Sequence, residues 1–190
     1  MAKRPGLDRA IVAQAAGELA DQIGFNNITL SGVADHLGVK TPSLYNHIEG
    51  LDGLRRELSL VGLNALNHRL QRAALGRSRD DALISMLQAY RTFAKERPGV
   101  YVATLHAPDP GDFQIKSASQ VIIDTLLTVL EPYQLNDDEA VYVIRGFRAI
   151  GHRFASLEMA GAFGIDLEMD ESYQRLIKAF LRGLDSLKQN

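Results

Sequence analysis

Apolar residues recur every three or four positions along almost the whole chain, and that one pattern removes most folds. Ile11, Ala15, Leu19 and Ile23 stand four apart, with Val12, Ala16 and Ala20 beside them, while Gln14, Glu18 and Gln22 face away. This is the period of an amphipathic helix. No segment sustains period-two alternation of β-branched residues, so strands are not expected. The fold class read from the sequence is all-α, with about nine helices.

Capping residues and breakers place those helices. Asp8 is a cap for the first, and Gly24 ends it. Short helices follow at about 31–37 and 41–47, then a long one from near Leu51 to Leu75, closed by Gly76-Arg77-Ser78-Arg79. Asp80 opens a fifth reaching Glu96, and Pro98 suits the first turn of a sixth that ends before Pro108. The seventh covers Phe113 to Leu130 and is stopped by Pro132. Asn136 or Asp137 caps the eighth, reaching about Gly161, and the ninth runs from Glu171 to Leu187.

At 190 residues with 46% hydrophobic content, the chain can bury a core without covalent staples. It has no cysteine, which removes disulfides, thiolate metal sites and a cysteine nucleophile, and suits a cytoplasmic setting. No apolar run approaches the roughly 20 residues of a membrane span, and no hydrophobic stretch follows Lys3 and Arg4 as in a signal peptide. No membrane partner is therefore expected.

Residues 28–54 carry the chemistry. Two short helices joined by a glycine-containing turn have the geometry of a helix-turn-helix. Ala34 is small where the helices cross, and Gly38 can take the left-handed conformation that ends the first. Val33, Leu37, Val39 and Leu44 fill the space between them. Thr41 can cap the second helix, and Pro42 fits its first turn. Lys40, Thr41, Ser43, Tyr45, Asn46 and His47 remain outside, as donors and acceptors sized for base edges and phosphates. Two ordinary short helices with a polar face are the bland reading of the turn alone.

These residues resemble the helix-turn-helix of the TetR family of transcriptional regulators. The matches are Val33-Ala34, Gly38-Val39, Leu44-Tyr45, His47-Ile48 and Leu54. The resemblance implies a DNA-binding domain over 1–50 and a helical ligand-binding and dimerisation domain over 51–190. It places Lys40, Thr41 and Ser43 near base edges or phosphates, and Tyr45 and His47 on the backbone. Ser31 stands at a helix start, where free backbone N–H groups suit a phosphate. Leu51 stands where the family usually has lysine, so Arg55 or Arg56, one turn later, would have to supply that contact. Lys3, Arg4 and Arg9 form an N-terminal arm that either touches DNA or is simply solvated.

The resemblance also assigns the remainder. In this family the last two helices of each subunit make a four-helix dimer bundle, which here implicates Ile144, Gly151, Phe154, Ala155, Leu176, Ile177, Phe180 and Leu184. The eighth and ninth helices do carry apolar stripes. The stretch 148–158 is similar to the WHG-type C-terminal subgroup, keeping His152, Leu157 and Glu158 with Arg153 in place of a glycine. Effector-lining candidates are Tyr90, Tyr101, His106, Phe113, Ile122, Phe147, Arg148 and His152, each of which could equally be core. Gly146 and Gly151 in mid-helix mean either close helix contact or room for a ligand.

The alternatives are a helical small-molecule carrier or a small all-α enzyme. The chain has no Glu-x-x-His pair, no histidines four apart, no Gly-x-Ser-x-Gly elbow and no phosphate-binding glycine loop. No catalytic residue, metal or cofactor is assigned. A carrier has no use for the donors at 40–47. The reading is therefore a ligand-responsive regulator, a repressor binding a palindromic DNA operator as a homodimer and released by a small-molecule effector. A net charge of −2, with six basic and six acidic residues over 1–56, means DNA binding must rest on placement rather than bulk charge.

Overall fold

The computed structural model describes residues 6–105, 109 and 111–187. Lys3, Arg4 and His106 lie outside the described residues. The chain is all-α, and no strand occurs among the described residues. Among the described residues there are eight α-helices: α1 (Arg9–Ile23), α2 (Leu30–Leu37), α3 (Gly50–Ala74), α4 (Arg79–Glu96), α5 (Pro98–Ala103), α6 (Phe113–Leu130), α7 (Asp137–Met159) and α8 (Met169–Leu187). A six-residue 3-10 helix at Thr41–Asn46 takes the ninth expected place, and single 3-10 turns add Phe25–Asn27 and Glu131–Tyr133.

Contacts divide the chain into two compact units, one of residues 1–65 and 97–118, the other of 66–96 and 119–190. Residues 51–65 and 97–118 therefore pack with the first three helical segments, which the expected domains, 1–50 and 51–190, did not group together.

In the first unit, α1 starts where Asp8 Oδ1 accepts the Ile11 amide at 2.8 Å and ends at Gly24. Its buried face is built from small residues, Ala13, Ala15, Ala16 and Ala20 around Val12, which lets neighbouring backbones approach closely. The α2 cap is Thr29, whose Oγ1 accepts from Gly32 N at 3.1 Å, so Ser31 sits in the first turn rather than at the boundary. Gly38 closes α2 with φ 67° and ψ 35°, the left-handed conformation that glycine adopts without strain.

In the second unit, α4, α7 and α8 enclose an aromatic core. Phe154 packs on Tyr173 at 4.5 Å between centroids, and Tyr90 meets Phe147 edge-on at 6.4 Å. Asn136 and Glu139 form a reciprocal capping box at the start of α7, deciding between the two expected caps. Arg91 is the polar centre of this core. Its Nε and Nη2 donate to both oxygens of Glu158 at 2.6 and 2.7 Å, and its Nη1 donates to Asp170 at 2.8 Å. The guanidinium lies against both the Phe154 and Tyr173 rings, 5.4 and 5.2 Å from their centroids. Lys95 also donates to Glu158, at 2.7 Å. One cation thus ties α4 to the end of α7 and the start of α8.

Candidate nucleic-acid interface

The reading head is built around one buried side chain. Leu44, in the middle of the Thr41–Asn46 helix, is fully buried, as are Val33, Ala34 and Leu54, with Ile48 nearly so. That contact fixes which way the rest of the short helix points. Lys40, Tyr45 and Asn46 are exposed, Tyr45 at 59%, while Thr41, Ser43 and His47 are half-buried at the edges of the same surface. Exposed Ser31, its Oγ 3.2 Å from Thr29 Oγ1, stands in the first turn of α2.

Two local expectations are corrected. The cap at Thr41 falls one residue earlier: Lys40 holds the N-cap position, with no side-chain hydrogen bond, and Thr41 is already helical. The segment is also 3-10 rather than α. Ser43 N donates to Lys40 O and His47 N to Leu44 O, both at 2.9 Å and three residues apart. Pro42 has no N–H to donate, and a six-residue piece is short enough for the tighter winding.

Charges around the head are largely paired. Arg9 Nε donates to the His47 carbonyl at 3.3 Å, joining the start of α1 to the end of the short helix. His36 Nε2 lies 3.2 Å from Glu18. The Glu18 carboxyl is held below its ordinary pKa, first by a hydrogen bond from Gln14 and then by His36. Arg56 is engaged by Asp112 at 2.5 and 2.9 Å, by Gln114 at 2.7 Å and by Glu57 at 3.1 Å. The Asp112 hydrogen bond, with Glu57 adding to it, raises the Arg56 pKa, and the Arg56 hydrogen bond lowers that of Asp112. Arg55 has lighter commitments, with Asp52 at 4.0 Å and the Phe25 ring 5.8 Å away, and its Nε is buried without a hydrogen-bond partner.

The chain is similar to known proteins over nearly its whole length. The chain is 35% identical over 184 residues to the HTH-type transcriptional regulator YobS of Bacillus subtilis, covering 97% of this chain and 96% of that one. It is 31% identical over 186 residues to the HTH-type transcriptional regulator Rv0681 of Mycobacterium tuberculosis, covering 97% and 85%. A family model, the tetracyclin repressor-like C-terminal domain, matches residues 83–180. The chain belongs to the TetR family of transcriptional regulators. It is a DNA-binding regulator, and the named relatives are regulators rather than enzymes.

Solved structures share the fold. A protein from Rhodococcus sp. RHA1 superposes with a TM-score of 0.79 at 20% identity, covering 96% of this chain and 98% of that one. A TetR variant from Acinetobacter baumannii AYE, solved in complex with minocycline, superposes with a TM-score of 0.75 at 19% identity, covering 97% and 100%.

For this TetR-family chain the other site residues fall as follows. Tyr90 and Phe147 are buried together in the second unit, with His152 half-buried and Arg148 exposed. Burial, followed by repulsion from Arg148 and Arg153, holds the His152 pKa below its ordinary value, and its Nδ1 lies 3.3 Å from Ser156 Oγ. Tyr101 and Phe113 belong to the first unit, Tyr101 fully buried and Phe113 79% exposed. The mid-helix glycines are close contacts. A Cβ on Gly151 would lie 2.9 Å from the Tyr90 ring, and one on Gly146 2.8 Å from the Phe180 ring.

The expected dimer residues differ in exposure. Gly151, Phe154, Ala155, Ile177 and Leu184 are buried within their own chain, Ile177 to 1% and Leu184 to 2% exposure. A side chain already withdrawn from water loses almost no area when a second chain arrives. Ile144 and Phe180 are half-buried, and Leu176 is 38% exposed. The outward apolar positions on these helices include Val141, Tyr142 and Ala149 as well as Leu176.

Proposed function

We propose that this TetR-family regulator is a repressor that binds a two-fold operator as a homodimer and releases it when a small molecule binds. The observation that carries DNA reading is the burial of Leu44, which turns Lys40, Tyr45 and Asn46 outward from one short helix. Lys40, Thr41, Ser43 and Asn46 address base edges or adjacent phosphates. Tyr45 and His47 hold the backbone, with Ser31 presenting the start of α2 to a phosphate. Of the two arginines that could stand in for lysine at position 51, Arg56 is taken by Asp112 and Gln114, which leaves Arg55 for that role. Two heads read half-sites about 34–36 Å apart, or a multiple of that spacing.

The homodimer forms on the outward face of α7 and α8. A groove of about 330 Å³ there is lined by Ala149, Ile150, Arg153, Leu157, Phe163 and Leu176, with Phe154 at its floor, and its surface is almost wholly apolar. The effector is a small, largely apolar molecule bound in the second unit near Tyr90, Phe147 and His152, with the uncharged imidazole as its polar contact. The minocycline complex of a fold neighbour supports a small-molecule effector. Release from the operator follows if the effector favours a dimer shape that cannot seat both heads.

The test is a gel shift with the DNA upstream of the chain's own gene, at low and moderate salt. Specific retention is expected for the wild type. Tyr45→Ala and His47→Ala are expected to weaken binding to all sequences and flatten its salt dependence. Retention unchanged in both variants would remove the phosphate roles, and no specific retention of the wild type would remove the operator.

A further inference from the structure

The turn entering α5 is held against α1 by contacts that play no part in reading DNA. Asp21 lies in the last turn of α1, its side chain mostly buried. Its Oδ1 accepts from Gly99 N at 2.9 Å and Val100 N at 3.1 Å, and its Oδ2 accepts from Arg97 Nε. Those two N–H groups are the kind a helix start leaves without partners. Arg97, at the N-cap position of α5, supplies no side-chain cap of its own, so the cap comes from a different helix.

The backbones are as close as the polar contacts require. A Cβ at Gly99 would overlap the carbonyl group of Ala20 and come within 2.6 Å of Asp21 N. On its other side α5 meets α3. A Cβ on Gly62 would lie 2.8 Å from the Val100 carbonyl oxygen, and the Ser59 hydroxyl sits 2.9 Å from the Ala103 carbonyl oxygen.

The clasp sits where the chain changes unit. Glu96 is the last residue of one segment of the second unit, and Arg97 is the first residue to return to the first. Asp21 therefore grips the chain at the residue by which it re-enters the unit carrying the reading head.

We infer that Asp21 is a positioning residue for DNA recognition: with Arg97 and Gly99 it fixes how the reading head is carried, and so which half-site spacing a dimer accepts. This rests on the dimeric DNA-binding reading above. Opening the clasp leaves the base and phosphate contacts of each head unchanged and loosens only the constraint between heads. Asp21→Asn keeps the side chain's shape and removes its charge toward Arg97. Gly99→Ala forces the two backbones apart sterically. Two unrelated perturbations thus converge on one contact.

The experiment uses the full chain. Duplexes selected by the wild type from a random library define the paired half-sites, and a panel then lengthens or shortens the spacer by one to three base pairs. The wild type is expected to prefer its own spacing by about tenfold, within the 5–150-fold range common for coupling between sites. In Asp21→Asn and Gly99→Ala the preference falls below about threefold, while the slope of affinity against salt, set by phosphate contacts, is retained. If Gly99→Ala does not fold, Asp21→Asn with Arg97→Gln carries the comparison. Variants that melt earlier yet keep the wild-type spacing profile overturn the inference, because a merely structural role moves stability and not spacing. A wild type that selects single half-sites overturns the dimeric reading, and this inference with it.

Discussion

Glu158→Gln isolates one charge in the cluster that joins α4, α7 and α8, because it keeps the side chain's shape and one carbonyl oxygen. In the native fold the Glu158 carboxylate accepts both arms of Arg91 and the Lys95 ammonium. The Arg91 hydrogen bonds, partly opposed by desolvation, hold its pKa at about 2, against 4.5 for an unperturbed glutamate. At about 1.4 kcal/mol per unit, that depression corresponds to about 3 kcal/mol of folding stability. Burial of the pair supports using this value with little discount, since Arg91 and Glu158 side chains are only 11% and 12% exposed. The raised pKa of Arg91 describes the same interaction from its other end and is counted once.

The folded pKa lies below the unfolded one, so between them the unfolded chain binds the extra proton. The contribution is therefore fully present above about pH 4.5 and is lost as pH falls toward 2. Urea unfolding followed by far-UV circular dichroism, at one protein concentration, measures the wild type and the variant from pH 7 downward. The expected gap is about 3 kcal/mol at pH 7, the size usual for breaking one side of a buried ion pair. It should narrow steadily below pH 4.5. A gap under about 1 kcal/mol at pH 7, or one that stays constant down to pH 3, would refute the assignment of this stability to the Glu158 charge.

Four further substitutions probe the second unit. Leu176→Glu, on the outward face, is expected to shift the sedimenting species from dimer to monomer with helicity intact, whereas Leu184→Glu, at 2% exposure, is expected to unfold the chain. Gly151→Ala places a methyl against the Tyr90 ring, and thermal melting should show a loss of about 1–3 kcal/mol from overpacking. Asn136→Ala removes one half of the α7 capping box and should cost about 1 kcal/mol in the same measurement.

What the sequence made legible were the features whose cause is local. Asp8, Gly24 and Gly38 act within a few residues of themselves, and α6 begins and ends at the residues its periodicity predicts, Phe113 and Leu130. The six residues at Thr41–Asn46 are too few for a periodicity to separate 3-10 from α winding, although Pro42 was a signal for the tighter form. Clusters assembled across the chain left no comparable trace. Arg91 and Glu158 are 67 residues apart, and Asp21 and Gly99 are 78 apart.

Several of the residues expected at the dimer interface lie on a face that the chain's own core already covers. An apolar stripe shows that a helix face will be covered, but not what covers it. On α8 the stripe Tyr173, Ile177, Leu181 and Leu184 is already buried within the chain, and the Tyr173 hydroxyl donates to the Leu87 carbonyl at 2.8 Å. The outward face of α8 is adjacent to that stripe, at Leu176, and holds fewer and more scattered apolar residues. Periodicity therefore ranks the intramolecular face first, because the chain's own core needs the continuous stripe. Half-exposed apolar positions beside such a stripe are the better sequence guide to where a homodimer forms.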